Sequence, residues 1–151
     1  IQAYGYLADK KKLSEKSYDL RRESIRKRLP LIINGPADDE EYISYIKEEL
    51  EELGYCTMMI FVDTTDEVSQ ERNTRLSRMM VESVRHDKWL QSQYNKALYK
   101  NIFENFLKID NSGSIEMIEE DITKAYKLTT SFLNGENYGN LWRSKNIFKA
   151  I

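Results

Sequence analysis

Features that would point to particular functions are scarce or missing in this chain of 151 residues. Its one cysteine, Cys56, excludes an internal disulfide framework and fits a reducing compartment. With one histidine, His86, a zinc site is nearly excluded as well. No run of about 18 apolar residues occurs, so we expect no membrane span and no membrane partner. No signal-peptide pattern opens the chain.

Glycine is also scarce, and its placement is informative. None of the six glycines belongs to a Gly-x-x-x-x-Gly-Lys-Ser/Thr segment, so the chain carries no phosphate-binding loop of its own. The formal net charge of −2 argues against a general nucleic-acid binder. The first residue is Ile1, which we interpret as a processed chain, part of a longer product or an artefact of expression.

Short apolar segments alternate with amphipathic ones along the chain. Residues 31–34, 57–62 and 106–110 are apolar runs followed by turn residues, which predicts three buried parallel strands. Helices are predicted over roughly residues 14–28, 38–53, 65–75, 82–103 and 114–133. This order predicts an α/β fold of three layers, a parallel sheet flanked by helices. We expect an irregular segment over residues 1–12, the α/β domain over 13–133 and a tail over 134–151.

Helix ends and inward faces follow from local patterns. Ser14, Asp38 and Thr65 or Thr64 are predicted N-caps, and Gly54 is a predicted stop. Two later helices are expected to bury one stripe each. Their predicted inward residues are Tyr94, Leu98 and Ile102, then Ile115, Ile118, Ile122, Tyr126 and Phe132.

Polar residues follow each predicted strand. In an open parallel sheet, ligands bind beyond the carboxyl ends of the strands. The alternative is that these side chains only form turns and helix caps, which favour the same residue types. The candidates are Asn34 with Asp38, Asp63 with Thr64, and Asp110 with Asn111.

Two groups of basic residues are further candidates. Arg72, Arg75 and Arg78 are three residues apart and would share a face if one helix continued through them, which suits phosphate binding. The alternative is a solvated face, with Glu71 pairing Arg75. A second cluster could bind an anionic substrate or partner, or could form a solvated helix face. It consists of Arg21, Arg22, Arg26, Lys27 and Arg28.

Four segments in this order resemble the later part of zeta-toxin-like small P-loop kinases, and are most similar to kinase-like proteins of large tailed phages. The resemblance covers roughly residues 15–130. The segments are Leu31-Ile32-Ile33-Asn34-Gly35, Leu50-Glu51-Glu52-Leu53-Gly54-Tyr55, Met58-Met59-Ile60-Phe61-Val62-Asp63-Thr64, and Glu71-Arg72-Asn73 with Arg75 and Arg78.

The resemblance implies an ATP-dependent phosphotransferase that uses ATP and Mg²⁺. It places Arg72, Arg75 and Arg78 in or beside the lid over the phosphates. Asn34 would face the phosphate-binding loop, and Asp110 and Asn111 would lie near the adenine. Asn34 stands where the family usually has an acidic residue, and an amide cannot act as a base.

The resemblance also implies that a central strand is missing together with the phosphate-binding loop, between the strands predicted at residues 31–34 and 57–62. We expect a preceding segment, residues 1–8 or a partner chain to fill it. The chain is therefore predicted to be a partial kinase-like domain of an infected host's cytoplasm, not catalytic by itself. The alternative is a non-catalytic structural or interaction protein, such as a processed phage particle component. Its tail at Tyr138, Leu141 and Trp142 could dock on phage structural proteins.

Overall fold

The computed structural model describes residues 15–77 and 79–135. The chain separates into two compact units, Ile1–Gly35 and Pro36–Ile151. The architecture is mixed α/β, and no helix among the described residues is long and apolar enough to cross a membrane. The elements are α1 (residues 15–26), α2 (Glu40–Glu52), β1 (Met58–Asp63), α3 (Asp66–Thr74), α4 (Glu82–Ile102), β2 (Asn105–Asp110) and α5 (Ile115–Leu133).

The first unit consists of α1 and an extended segment. The helix ends in a Schellman motif, in which the Leu29 amide donates to the Ser24 carbonyl at 2.9 Å and the Arg28 amide donates to the Ile25 carbonyl at 3.0 Å. Arg28 has φ +56°, a left-handed conformation that glycine usually provides at this position. The prediction of a helix ending near Arg28 is confirmed, while its predicted cap Ser14 lies outside the described residues.

The strand predicted over residues 31–34 is not formed, and this prediction was wrong. Residues 29–36 adopt neither helix nor strand, and Ile32 is fully exposed. A short apolar run becomes a strand only when a neighbouring strand pairs with its backbone. None of the described residues supplies that neighbour in this structure.

The second unit opens with α2. Asp39 is its N-cap, since its Oδ1 accepts the Tyr42 amide at 3.0 Å; the predicted cap, Asp38, was therefore wrong by one residue. The reason is that Ala37, at φ +60°, turns the chain so that helical geometry begins at Glu40. Gly54 has φ +86° and ends the helix as predicted.

Among the described residues, the sheet has two parallel strands. Met58 of β1 lies opposite Asn105 of β2, and the register runs to Asp63 opposite Asp110. Both strands and their parallel direction were predicted, and both predictions are confirmed. The sheet is narrower than the three strands predicted, because residues 31–34 do not join it.

One face of the sheet carries the core of the second unit. Phe61 is 4% exposed and packs with Tyr99 and Phe103 of the α4 end, and the Phe61 and Phe106 rings stack at 6.3 Å. Ile43 of α2 is partly buried and packs against this cluster. Side chains alternate along a strand, so the neighbours of Phe61 in β1 point to the opposite face.

That opposite face is covered only in part. Helix α5 packs against β2, while Ile60 and Val62 of β1 are 40% and 57% exposed. The predicted inward residues Ile122 and Tyr126 of α5 are also exposed, as is Tyr94 of α4, so these three predictions were wrong. A sheet two strands wide covers a narrower stripe of each helix than the sequence pattern predicts.

Candidate functional site at the carboxyl ends of the strands

The two strands end in carboxylates that lie side by side. Asp63 and Asp110 are the last residues of β1 and β2 and occupy matching register positions. The Asn111 amide continues the pairing by donating to the Asp63 carbonyl at 2.8 Å. The structure therefore brings together three predicted polar positions, and Thr64 follows Asp63 directly. This edge is where open parallel sheets bind ligands.

Asp63 is held by groups from α4. Its carboxylate accepts from Lys96 Nζ at 2.8 Å and from Gln93 Nε2 at 2.7 Å, and Lys108 Nζ lies 3.7 Å away. Burial would raise the pKa of Asp63, but the hydrogen bonds from Lys96 and Gln93 and the lysine charges outweigh burial and lower it. Asp63 is therefore an ionised carboxylate whose oxygens already accept hydrogen bonds from Lys96 and Gln93, so it is not a free base.

Asp110 has a more open environment than Asp63. The Ser112 amide donates to its Oδ1 at 3.0 Å, and hydrogen bonds from Ser112 lower the pKa of Asp110. Ser112 Oγ also accepts the Thr65 amide at 3.1 Å, which ties the loops after the two strands together. An exposed carboxylate on a fixed loop is a suitable partner for a hydrated Mg²⁺ ion.

The loop after β1 is fixed through its backbone. Trp89 Nε1 donates to the Thr64 carbonyl at 2.8 Å, and Thr65 Oγ1 accepts the Val68 amide at 3.3 Å as the N-cap of α3. Thr64 Oγ1 is buried and has no hydrogen-bond partner among the described residues. The predicted cap was Thr65 or Thr64, and Thr65 takes this role.

Asp38, like Asp63, is bound by side chains of α4. Its carboxylate forms an ion pair with Lys88, and its carbonyl accepts from Asn95 Nδ2 at 3.0 Å. Tyr99 Oη donates to the neighbouring Ala37 carbonyl at 3.0 Å. One helix, α4, thus holds both the entrance to α2 and the end of β1.

Sequence reasoning missed this role of α4. The residues involved are polar and buried: Arg85, Ser92 and Asn95 are 3–8% exposed, and Tyr99 is 0% exposed. The spacing of Ser92, Asn95 and Tyr99, at three and four residues, is a helical stripe. A search for polar stripes in addition to apolar ones would have found it.

The arginine row is not on one helix face. Helix α3 ends at Thr74, and Arg75 is its C-cap, so the helix does not continue through this segment. Arg75 pairs with Glu71, the alternative given above, while Arg72 is half-buried. Arg78 lies outside the described residues. The loop from α3 to α4 is closed by the Asn73 side chain, which donates to the Met80 carbonyl at 2.8 Å and accepts its amide at 2.9 Å.

A second polar cluster joins α3 to α4. Arg85 is 7% exposed and donates to Asp66 at 2.7 Å, to Glu82 at 2.6 Å and to Ser69 at 3.0 Å. The hydrogen bonds from Arg85 lower the pKa of both carboxyls. His86 contacts Asp66 at 3.0 Å. The side chains of this cluster bond to one another, so the cluster holds α3 to α4 and presents no free acid or base.

Two further features are not among the residues of this site. Asn34 is exposed and belongs to the first unit. A cavity of about 150 Å³ lies at the opposite, amino ends of the strands, and its lining includes Met58, Leu107, Leu128 and Phe132. Among the described residues, no group of three His, Cys, Asp or Glu side chains is placed to hold a metal ion.

Comparisons of the chain with protein-family models, with curated proteins and with solved structures find no match.

Proposed function

We propose that the chain is part of a P-loop-kinase-like, ATP-dependent phosphotransferase whose phosphate-binding loop comes from a segment outside these residues. The observation that carries the proposal is the pair of adjacent strand ends, Asp63 beside Asp110, with Lys96 and Lys108 next to them. Ligands of open parallel sheets bind at such an edge. The resemblance described above names ATP as that ligand.

The site residues differ in the roles that their surroundings allow. Lys96 neutralises Asp63, so this pair would orient the loop after β1 rather than react. Asp110, exposed and ionised, and Asn111 would lie near the adenine, as the resemblance implies. Arg72 and Arg75 remain proposed lid residues, since arginine forks match phosphate oxygens.

The chain lacks a phosphate-binding loop of its own. Without a Gly-x-x-x-x-Gly-Lys-Ser/Thr loop, no row of backbone amides encloses the β- and γ-phosphates. We therefore expect this chain by itself to transfer no phosphoryl group. A completed sheet and loop, from a preceding segment or a partner chain, would restore the fold of three layers.

Calorimetry with MgATP tests the proposal on the full-length gene product. We expect saturable binding that Asp110→Asn weakens and that Lys124→Gln, a change on the exposed surface of α5, leaves unchanged. Lys124 serves as the control because, in the part of the chain that the structure describes, its ion pairs are with acidic neighbours on its own helix. Absence of MgATP binding by the folded full-length product would reject the phosphotransferase.

A second candidate is a non-catalytic interaction protein, for example a component of a phage particle. The favouring observation is β1, whose other edge pairs with no strand among the described residues and whose Ile60 and Val62 are exposed. An uncovered edge is a template for another chain. Mass spectrometry of purified particles tests this candidate, and a protein that is absent or present only in traces would reject it.

A further inference from the structure

The first unit has a charge opposite to that of the whole chain. Between residues 15 and 28 it carries an excess of three positive charges, although the chain has a formal net charge of −2. The cations of this basic helix are Lys16, Arg21, Arg22, Arg26, Lys27 and Arg28, and the anions are Glu15, Asp19 and Glu23.

The cations at the end of α1 are accessible. The Arg26 and Lys27 side chains are 71% and 53% exposed. Both contact Glu23, with Arg26 Nη2 at 2.7 Å and Lys27 Nζ at 3.0 Å, so two cations share one carboxylate. Arg22 lies over the Tyr18 ring at 5.9 Å and is also exposed. Positive charge is thus left over after the local pairing.

An exposed apolar segment follows the basic helix directly. Leu29, Ile32 and Ile33 are 46%, 100% and 47% exposed, and we call these three residues the apolar tip. The Schellman motif at Arg28 turns the chain at the point where the cations end and the tip begins. Water-exposed leucine and isoleucine next to a cluster of cations form an amphipathic surface, basic on one part and apolar on the other.

We propose that the first unit binds an anionic lipid surface. The cations of the basic helix contact lipid phosphates and carboxylates, and the apolar tip enters the interfacial layer. Such a contact requires no helix that spans the membrane, but it departs from the expectation of no membrane partner given above. A nucleic acid would satisfy the cations but would leave the apolar tip in water. The proposal is independent of the phosphotransferase.

Flotation of the whole chain with lipid vesicles tests the proposal. We expect binding to phosphatidylserine–phosphatidylcholine vesicles and weak binding to phosphatidylcholine alone. Removing two cations with Arg26→Gln and Lys27→Gln should weaken binding roughly 20-fold, since each cation near an anionic surface contributes about fivefold. The matched control, Lys124→Gln with Lys127→Gln on α5, removes the same charge elsewhere and should leave binding unchanged.

A second pair of variants tests the apolar tip. Ile32→Ser should weaken binding several-fold, and Ile32→Trp should show a blue shift of its fluorescence with anionic vesicles, measured against the unsubstituted chain. Ile32 is fully exposed, so neither change disturbs packing. Equal binding to both vesicle types, or insensitivity to Ile32→Ser, would overturn the proposal. So would binding of an RNA or DNA oligonucleotide in place of vesicles.

Discussion

Replacing Lys96 by methionine tests whether α4 holds the end of β1 through charge. Lys96 Nζ donates to Asp63 at 2.8 Å, and the two side chains are 32% and 11% exposed. Methionine keeps most of the length of the side chain but removes the charged Nζ, which lies 5.9 Å from the centre of the Phe61 ring. Asp63 would then be a nearly buried carboxylate that retains Gln93 Nε2 at 2.7 Å, the Thr64 amide at 3.0 Å and Lys108 Nζ at 3.7 Å.

The expected loss of stability on Lys96→Met follows from the partial burial of the Lys96–Asp63 pair. Breaking a fully buried ion pair costs about 3–5 kcal/mol, and an exposed pair contributes about 0–1 kcal/mol. With Lys96 one-third exposed and three other partners of Asp63 retained, we expect a loss of roughly 1–3 kcal/mol at pH 7 for Lys96→Met. For a chain of this size that corresponds to a fall in Tm of roughly 2–12 °C.

The pH dependence of the stability loss distinguishes an effect of the Lys96 charge from an effect of its packing. The pKa of Asp63 is lower in the folded than in the unfolded chain, where it is about 3.9. The stability from this carboxylate is therefore fully present above about pH 4 and is lost as pH falls through the folded pKa. We expect the difference in Tm between the unsubstituted chain and Lys96→Met to shrink below pH 4.

Thermal unfolding followed by circular dichroism at pH 7, 5 and 3 measures this difference. Lys124→Met is the matched control, since Lys124 pairs with Glu120 and Asp121 on the surface of α5, and its effect should be smaller at every pH. An equal loss at pH 7 and pH 3 would show that Lys96 stabilises by packing. A loss no larger than that of the control would refute the reasoning.

Two further changes probe the entrance and the end of α2. Tyr99→Phe removes the hydrogen bond to the Ala37 carbonyl inside a fully buried site, and we expect a loss of about 1 kcal/mol in the free energy of unfolding by urea. If Tyr99→Phe is neutral, this hydrogen bond does not hold α2 to α4. Gly54→Ala forces alanine into φ +86° and should cost about 1 kcal/mol, although space for its Cβ is free. Gly35→Ala, with equal space and no positive φ, is the control, and an equal loss from both would contradict the backbone argument.

Local signals in the sequence predicted the elements of the second unit well. Gly54 ended α2, and the apolar run after it formed β1, because both depend on a few adjacent residues. The register of Asp63 with Asp110 follows from two strands of equal length in parallel. The strand-end residues of the candidate site were therefore predictable as a group.

Contacts between distant segments were not predictable in this way. Lys88, Gln93 and Lys96 lie on a helix that was predicted from its apolar residues, and the pattern did not indicate which polar side chains would meet Asp38 or Asp63. The stripe of buried polar residues on α4 becomes meaningful only once α2 and β1 are placed beside it. Packing partners, rather than propensity, decide such positions.

The failed strand at residues 31–34 connects the two proposals for function. Residues 31–34 remain outside the sheet, and the other edge of β1 pairs with no strand among the described residues. The proposed P-loop-kinase-like phosphotransferase requires that edge to be filled permanently, because its phosphate-binding loop would follow a central strand. An interaction protein requires the edge to stay open until a partner arrives. The edge of β1, more than any single polar residue, therefore distinguishes the two proposals, and amide hydrogen exchange measures its state. Protection of the β1 amides in the isolated full-length product favours the enzyme. Exchange of these amides that slows only in an assembly favours the interaction protein.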